Sequence, residues 1–300
     1  MSPYIHAALA MALPLFLACC TNGPRPETVL ASGQAGPVAL ASDGTHLYWV
    51  NATGGQVMRQ PLAGGSPEVL ASGQAQPRAL ALSSSHVYWA NRQGGTVMRV
   101  PLAGGSATPV ASGQDDPSEV AVAGGHVYWS NASGLFMRAP LAGGPPEPVS
   151  PSASGPKDIA ANATHVYWTN ADGSVRRAPL AGGPDEVLAK GELNATSLAL
   201  DAHHVYWTTF WGSLHRVPLA GGAMETVVEG EDHPRALALD ESFLYWAAGG
   251  GSGAIRRLAR SGGKPGTFAA DQAEPTGILL DSAQLYWVNE AGGTLVRAPR

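Results

Sequence analysis

His86-Val87-Tyr88-Trp89-Ala90-Asn91 is followed, after Arg92-Gln93-Gly94-Gly95, by Thr96-Val97-Met98-Arg99-Val100-Pro101-Leu102. These two short runs decide the fold. A further apolar run, Pro77 to Leu82, precedes them, and Ala103-Gly104-Gly105 turns the chain towards a fourth run, Thr108 to Gly113. Each run is about six residues long, rich in Val, Leu, Tyr and Trp, and bounded by Gly, Ser and Asn, the signature of short strands joined by tight turns. The unit then repeats. Tyr-Trp pairs stand at Tyr48-Trp49, Tyr88-Trp89, Tyr128-Trp129, Tyr167-Trp168, Tyr206-Trp207, Tyr245-Trp246 and Tyr286-Trp287, in steps of 40, 40, 39, 39, 39 and 41 residues. Four strands in about 40 residues, repeated seven times, predict an all-β, seven-bladed propeller with four antiparallel strands per blade. Helical signals are nearly absent, because Gly and Pro interrupt every stretch and no segment keeps a 3.6-residue period.

Neighbouring side chains on a strand point to opposite faces. Val87, Tyr88 and Trp89 do not alternate apolar with polar, so both faces of this strand are expected to be covered. In a ring of blades, Tyr would then pack towards one neighbouring blade and Trp towards the other. A buried aromatic covers about 150–250 Å², or about 4–6 kcal/mol at ~25 cal/mol per Å² before entropy costs. Seven such pairs can organise a core in a chain otherwise rich in Ala and Gly.

An arginine also repeats in phase, at Arg59, Arg99, Arg138, Arg177, Arg216, Arg257 and Arg297, with Pro two residues later in every unit except the sixth, which has Ala259. One Arg per blade reads as a structural or solvated position. The ends of the chain predict how the ring closes. Residues 27–33 resemble a fourth strand, and the chain stops at Arg300 after a third strand. The N-terminal segment is therefore expected to complete the last blade and remove an open edge.

Val166-Tyr167-Trp168-Thr169-Asn170, then Gly173 to Gly182, resembles the YWTD repeat, the class B propeller repeat of the low-density-lipoprotein receptor. The resemblance spans residues 27–300 and implies a propeller whose flat face or central pocket binds something. The chain departs from the pattern. Asn replaces the family's Asp at Asn51, Asn91, Asn131, Asn170 and Asn289, where its side chain is expected to bond neighbouring backbone, and Thr209 and Ala248 replace it elsewhere. Seven units stand where the family usually has six, and no Cys follows Cys20. The receptors' function is therefore not carried over.

Residues 7–20 form an apolar run too short for a bilayer but fitting a signal-peptide core. Leu17-Ala18-Cys19-Cys20 resembles the bacterial lipobox, with Cys20 as the acylated residue; an ordinary cleaved signal is the alternative. The expected organisation is a signal segment at 1–20, a linker at 21–26 and the propeller at 27–300. A lipid anchor would place the protein in the bacterial cell envelope, facing the periplasm or on the outer membrane, with secretion as the alternative. Four Asn-x-Ser/Thr sequences, at Asn51, Asn131, Asn162 and Asn194, are fortuitous in that setting. The net charge is −5, with no basic stripe. That disfavours nucleic acid and electrostatic attachment to anionic lipid.

The loops leading into strand one vary most. They carry Asp115, Asp116, Glu119, Lys157, Asp158, Glu192, Glu231, Asp232, His233, Arg235 and Glu274. Around a channel mouth these predict a polar, mainly acidic site. Glu119, Asp158, Glu231, Asp232 and Glu274 are the candidate ligands for Ca²⁺ or Mg²⁺, which take oxygen donors. Phe210-Trp211 stands where other units have Gly, Ala, Ser or Asn. It is either a contact platform or extra core over blade five. His46, His86, His126, His165 and His204 repeat in phase and cannot converge on one metal. No nucleophile elbow, zinc spacing or phosphate-binding glycine motif is present. The expected function is an envelope-associated, monomeric binding or assembly scaffold for a protein or glycan partner. The rival reading is a metal-dependent hydrolase or lyase of the lactonase or antibiotic-lyase kind.

Overall fold

The computed structural model describes residues 26–150, 154–191, 194–250 and 253–300. Cys20, the signal segment, residues 21–25 of the linker and Glu192 lie outside the described residues. Seven four-stranded antiparallel sheets follow one another. In the first blade, strand one is Pro37–Ser42, strand two His46–Asn51, strand three Gln56–Pro61 and strand four Glu68–Ala71. Blades two to six repeat this order. In the seventh, Thr28–Ala31 pairs with Thr294–Pro299 and supplies the missing outer strand. Its register, Thr28 opposite Arg297 and Val29 opposite Val296, matches Glu68 opposite Arg59 and Val69 opposite Met58 in blade one. The ring closes as the chain ends predict.

The Trp of each of the seven Tyr-Trp pairs is fully buried and the Tyr nearly so. Tyr48 shares a cluster with Trp89, Tyr88 with Trp129, and Tyr128 with Trp168. The pattern runs round the ring until Tyr286 meets Trp49 across the closure, with Ala31 in the same cluster. Tyr thus packs forwards and Trp backwards, so each interface between blades is built from one residue of each pair.

Polar groups finish the buried strand ends. The indole N–H groups of Trp49, Trp89, Trp129, Trp246 and Trp287 donate to the side chain fifteen residues earlier, at Gln34, Gln74, Gln114, Glu231 and Gln272. Asn51, Asn91, Asn131 and Asn289 donate to those same glutamines. The expected bond from the motif Asn to backbone occurs in blade four, where Asn170 Oδ1 accepts from the Ser154 N–H. In the four blades with Gln, one amide oxygen reaches both buried donors and takes that place.

The repeated Arg is structural. Arg99, Arg138 and Arg297 donate to the carbonyls of Leu141, Leu180 and Leu62 in the next blade's hairpin, at 2.9, 3.2 and 3.2 Å. Arg59 and Arg177 do the same to Leu102 and Leu219.

Strand one lines the channel and carries a bulge near its start in most blades, as between Pro77 and Leu80 or Pro156 and Asp158. A bulge breaks the two-residue alternation. Two successive side chains of each strand can then reach the channel, and this positions the site.

Candidate functional site

A cavity of about 680 Å³ opens over blades two to five. It continues into a channel space of about 630 Å³ lined by all seven blades. Arg78, Glu119, Thr196 and Phe210 border both. The walls come from the two bulged positions of strand one. Read round the ring they are Val38-Ala39, Arg78-Ala79, Ser118-Glu119, Lys157-Asp158, Thr196-Ser197, Arg235-Ala236 and Thr276-Gly277.

The residue before each of these pairs' leading Pro or Ala takes a left-handed conformation. It is Gly36 or Gly155 in two blades, and Gln76, Asp116, Asn194, His233 and Glu274, with φ from 44° to 64°, in the others. Such φ values cost a non-glycine residue about 1 kcal/mol or more. Hydrogen bonds hold these loops. Phe210 N–H donates to Asn194 carbonyl at 2.9 Å, Arg92 N–H to Gln76 at 3.1 Å, and Glu290 N–H to Glu274 at 2.9 Å. Each ties the loop leading into strand one to the loop between strands two and three of the same blade.

Glu119 and Asp158 occupy the same position on adjacent blades. Asp158 accepts the Leu198 N–H at 2.6 Å from blade five and its neighbour Ile159 N–H at 2.7 Å. Burial pushes its carboxyl up to about 6 even against these bonds and one from Ser197. Ser197 repeats the arrangement one blade on, accepting the Leu237 N–H at 3.1 Å. Glu119 has no such donor among the described residues. Burial, reinforced by the Asp158 charge and opposed by Arg78, raises its carboxyl well above the ordinary range. The pair is one hydrogen-bonded carboxyl beside one bare carboxyl, an arrangement that can hold and pass a proton.

Phe210 and Trp211 project from the blade-five hairpin, 44% and 68% exposed. The core alternative for Trp211 is thereby overturned. The hairpin tip is fixed by Thr209 N–H to Ser213 carbonyl at 2.8 Å and Gly212 N–H to Thr209 carbonyl at 3.1 Å. Gly212 has φ 101°, and a Cβ there would lie 2.2 Å from the Glu231 carbonyl. The turn leaves both rings outside the blade. Phe210 meets Trp211 edge-on at 5.3 Å and His233 at 4.6 Å. The outcome is an exposed aromatic wall.

The other candidates are distributed less simply. Asp116 lines the cavity but pairs with Arg92 at 3.2 Å. Asp115 is exposed and does not line it. Asp232 bonds His233 at 2.6 Å at the rim. Arg235 lines the channel and lies 3.8 Å from Glu274. Glu231 is taken up by the Trp246 indole at 3.0 Å and by Arg256 at 3.0 Å, as a structural acceptor. Of the five candidate metal ligands only Glu119 and Asp158 come together. Among the described residues no group of three or more His, Cys, Asp or Glu side chains is placed to hold a metal ion, so these residues do not fit a Ca²⁺ or Mg²⁺ cage. The mouth is not mainly acidic either. Arg78, Arg92, Lys157 and Arg235 line it together with Asp116, Glu119, Asp158 and Glu290. Arg78, Thr196 and Glu290 were not among the candidates. For Arg78 and Thr196 the signal was the break in repeat symmetry at the second strand-one position, whereas Glu290 stands in the loop between strands two and three of blade seven.

No protein-family model and no curated relative matches the sequence. Among solved structures, the chain is similar to virginiamycin B lyase from Staphylococcus aureus, with TM-score 0.77 and 15% identity over 92% of this chain and 98% of that one. A catalytically inactive form of that lyase with quinupristin gives TM-score 0.79 at 15% identity, over 92% and 98%. A nidogen/laminin complex chain gives 0.55 at 18% identity, over 62% of this chain and 77% of that one. At these identities the likeness shows the seven-bladed propeller fold and nothing finer.

Proposed function

We propose that the protein is a glycan-binding module of the cell envelope, with its ligand seated at the channel mouth over blades two to five. One observation carries this reading. The Tyr-Trp frame repeats without exception, whereas the strand-one pairs and the blade-five hairpin break the repeat, and the broken positions converge on one cavity. A repeat that served only to build a ring has no need of Arg78, Glu119, Lys157 or Trp211 at those places. An exposed indole beside amides and hydroxyls is suited to a sugar, whose C–H face stacks on the ring while its hydroxyls meet the polar wall. The apolar run at residues 7–20 and the lipobox-like Leu17 to Cys20 support an envelope location with Cys20 as the anchor. A kinship with YWTD propellers rests on the repeat motif itself.

The test is a glycan array probed with the parent protein and with Trp211→Ala. Retention of a glycan class by the parent and its loss in the variant, at equal melting temperature, is the expected result. If the array stays blank while a protein partner is retained from envelope extracts, the glycan reading gives way to a protein scaffold.

A second reading is favoured by the Glu119–Asp158 pair. Two adjacent carboxyls with raised proton affinity inside a cavity are the equipment of acid–base catalysis, so a hydrolase or lyase acting without a metal held by these residues is the rival. Turnover of the retained glycan, lost in Glu119→Gln with binding intact, would establish it.

A further inference from the structure

Arg78 and Lys157 are the second strand-one residues of blades two and four, and both are exposed into the same cavity. The other cations at the mouth have carboxylate partners: Arg92 pairs with Asp116 at 3.2 Å, and Arg235 lies 3.8 Å from Glu274. Arg78 and Lys157 have no ion-pair or hydrogen-bond partner among the described residues. Two cations without an ion-pair partner facing one cavity leave positive charge there for an anion to meet. Resting on the glycan reading, we infer that the site takes an anionic sugar, its carboxylate or sulfate group set between Arg78 and Lys157 and its ring against Trp211.

Three further observations point the same way. The bare carboxyl of Glu119 is pushed by burial well above its ordinary range, and in its protonated form it donates a hydrogen bond to an anionic oxygen of the ligand. Asn194 and Ser118 line the same cavity and supply an amide and a hydroxyl for sugar hydroxyls. Trp211 is an open ring at the cavity wall and not part of a closed apolar slot, which suits a pyranose better than a flat aromatic acid. Arg78 presents a planar fork matched to two oxygens of one anion, and Lys157 adds a point charge. The net charge of −5 argues against a nucleic-acid backbone as the source of that anion.

Titration calorimetry on the full chain decides the matter with three probes: tri-galacturonate, its methyl ester, and a sulfated galactose oligomer. The ester keeps the skeleton and removes the charge. The expected result is binding of one or both anionic probes, with the ester weaker by about tenfold or more, the scale of a lost charge-assisted contact. Whichever anion binds identifies the source of the charge. Arg78→Gln and Lys157→Gln should each weaken that binding about tenfold and flatten its dependence on salt. Both side chains are exposed, so an unchanged melting temperature is expected and distinguishes lost contact from lost fold. Equal binding of the ester would overturn the inference and leave the glycan reading standing. Binding of none of the three overturns the inference, and the array then judges the broader reading by itself.

Discussion

At Glu119 and Asp158 the proton balance of single residues sets a property of the whole chain. Both carboxyls bind protons more tightly folded than unfolded, Asp158 at about 6 against an ordinary 3.8. Their contribution to stability is complete below the unfolded value and is lost as pH rises through the folded one. Asp43, Asp172, Asp201 and Asp281 act in the other direction. Partial burial raises each, but hydrogen bonds from their turns outweigh it and hold them low, Asp43 at about 2. Their contribution is present above the ordinary value and disappears as pH falls towards 2. The melting temperature is therefore expected to peak between about pH 4 and 6 and to fall on both sides. Glu119→Gln should raise it at pH 8 and leave it unchanged at pH 4. A pH-scanned melting curve checks this, and an unaltered alkaline limb in the variant would show that Glu119 ionises freely in the channel. None of this was legible in the sequence. Glu119 and Asp158 stood there as two of many polar loop residues, 39 positions apart.

The blade is the next scale, and the arginine of strand three shows how blades are fastened. Arg138 donates to Glu147 within its own blade and to the Leu180 carbonyl of the next. The exposed ion pair adds little, whereas a charge-assisted bond to a shielded carbonyl adds about 1.5–3 kcal/mol. Arg216 makes the same intrablade contact, to Glu225, but no such carbonyl bond among the described residues. The facing hairpin of blade six differs from the others, with Ala259-Arg260 in place of Pro-Leu. Arg260 reaches back to Asp201 and over the Tyr206 ring at 5.9 Å, fastening the interface from the opposite side. Arg138→Ala is therefore expected to cost about 1–2 kcal/mol in urea unfolding, and Arg216→Ala less than about 1 kcal/mol. Equal losses would mean that the carbonyl bond is not what matters. The sequence marked these arginines as structural by their period. It could not show that they act across blades, because the acceptor carbonyls lie 42 or 43 residues further on or, for Arg297 at the closure, 235 residues back.

For the whole molecule, the closing strand decides whether seven similar blades behave as one. Thr28–Ala31 pairs with the last strand, and Ala31 packs in the cluster that joins Tyr286 to Trp49. Without it the seventh blade loses its outer strand and the closing interface loses part of its core. Repeats coupled only to their neighbours then unfold piecemeal. Deletion of residues 27–33 is expected to replace one sharp calorimetric transition with a broad one at lower temperature. A truncated protein that melts like its parent would place the closure elsewhere.

The sequence by itself determined the architecture. Each blade is specified by the same local pattern of apolar runs, turns and one aromatic pair, and a pattern stated seven times survives local exceptions such as Ala259. It also determined the closure, because the count of strands at the two ends leaves one spare and one missing. The tertiary structure alone decided the site. Its side chains come from different blades, in small groups about 40 residues apart, and bulges turn two residues per strand inward where strict alternation would show one. Which cations stay unpaired depends on geometry across blades: Arg92 and Arg235 have a carboxylate at ion-pair distance, whereas Arg78 acts on Glu119 without an ion pair and Lys157 has no carboxylate partner among the described residues. Exposure of Trp211 is likewise a tertiary outcome: its hairpin makes the same close approach at Gly212 as the hairpins at Gly55, Gly95 and Gly293, and no neighbouring blade covers the ring.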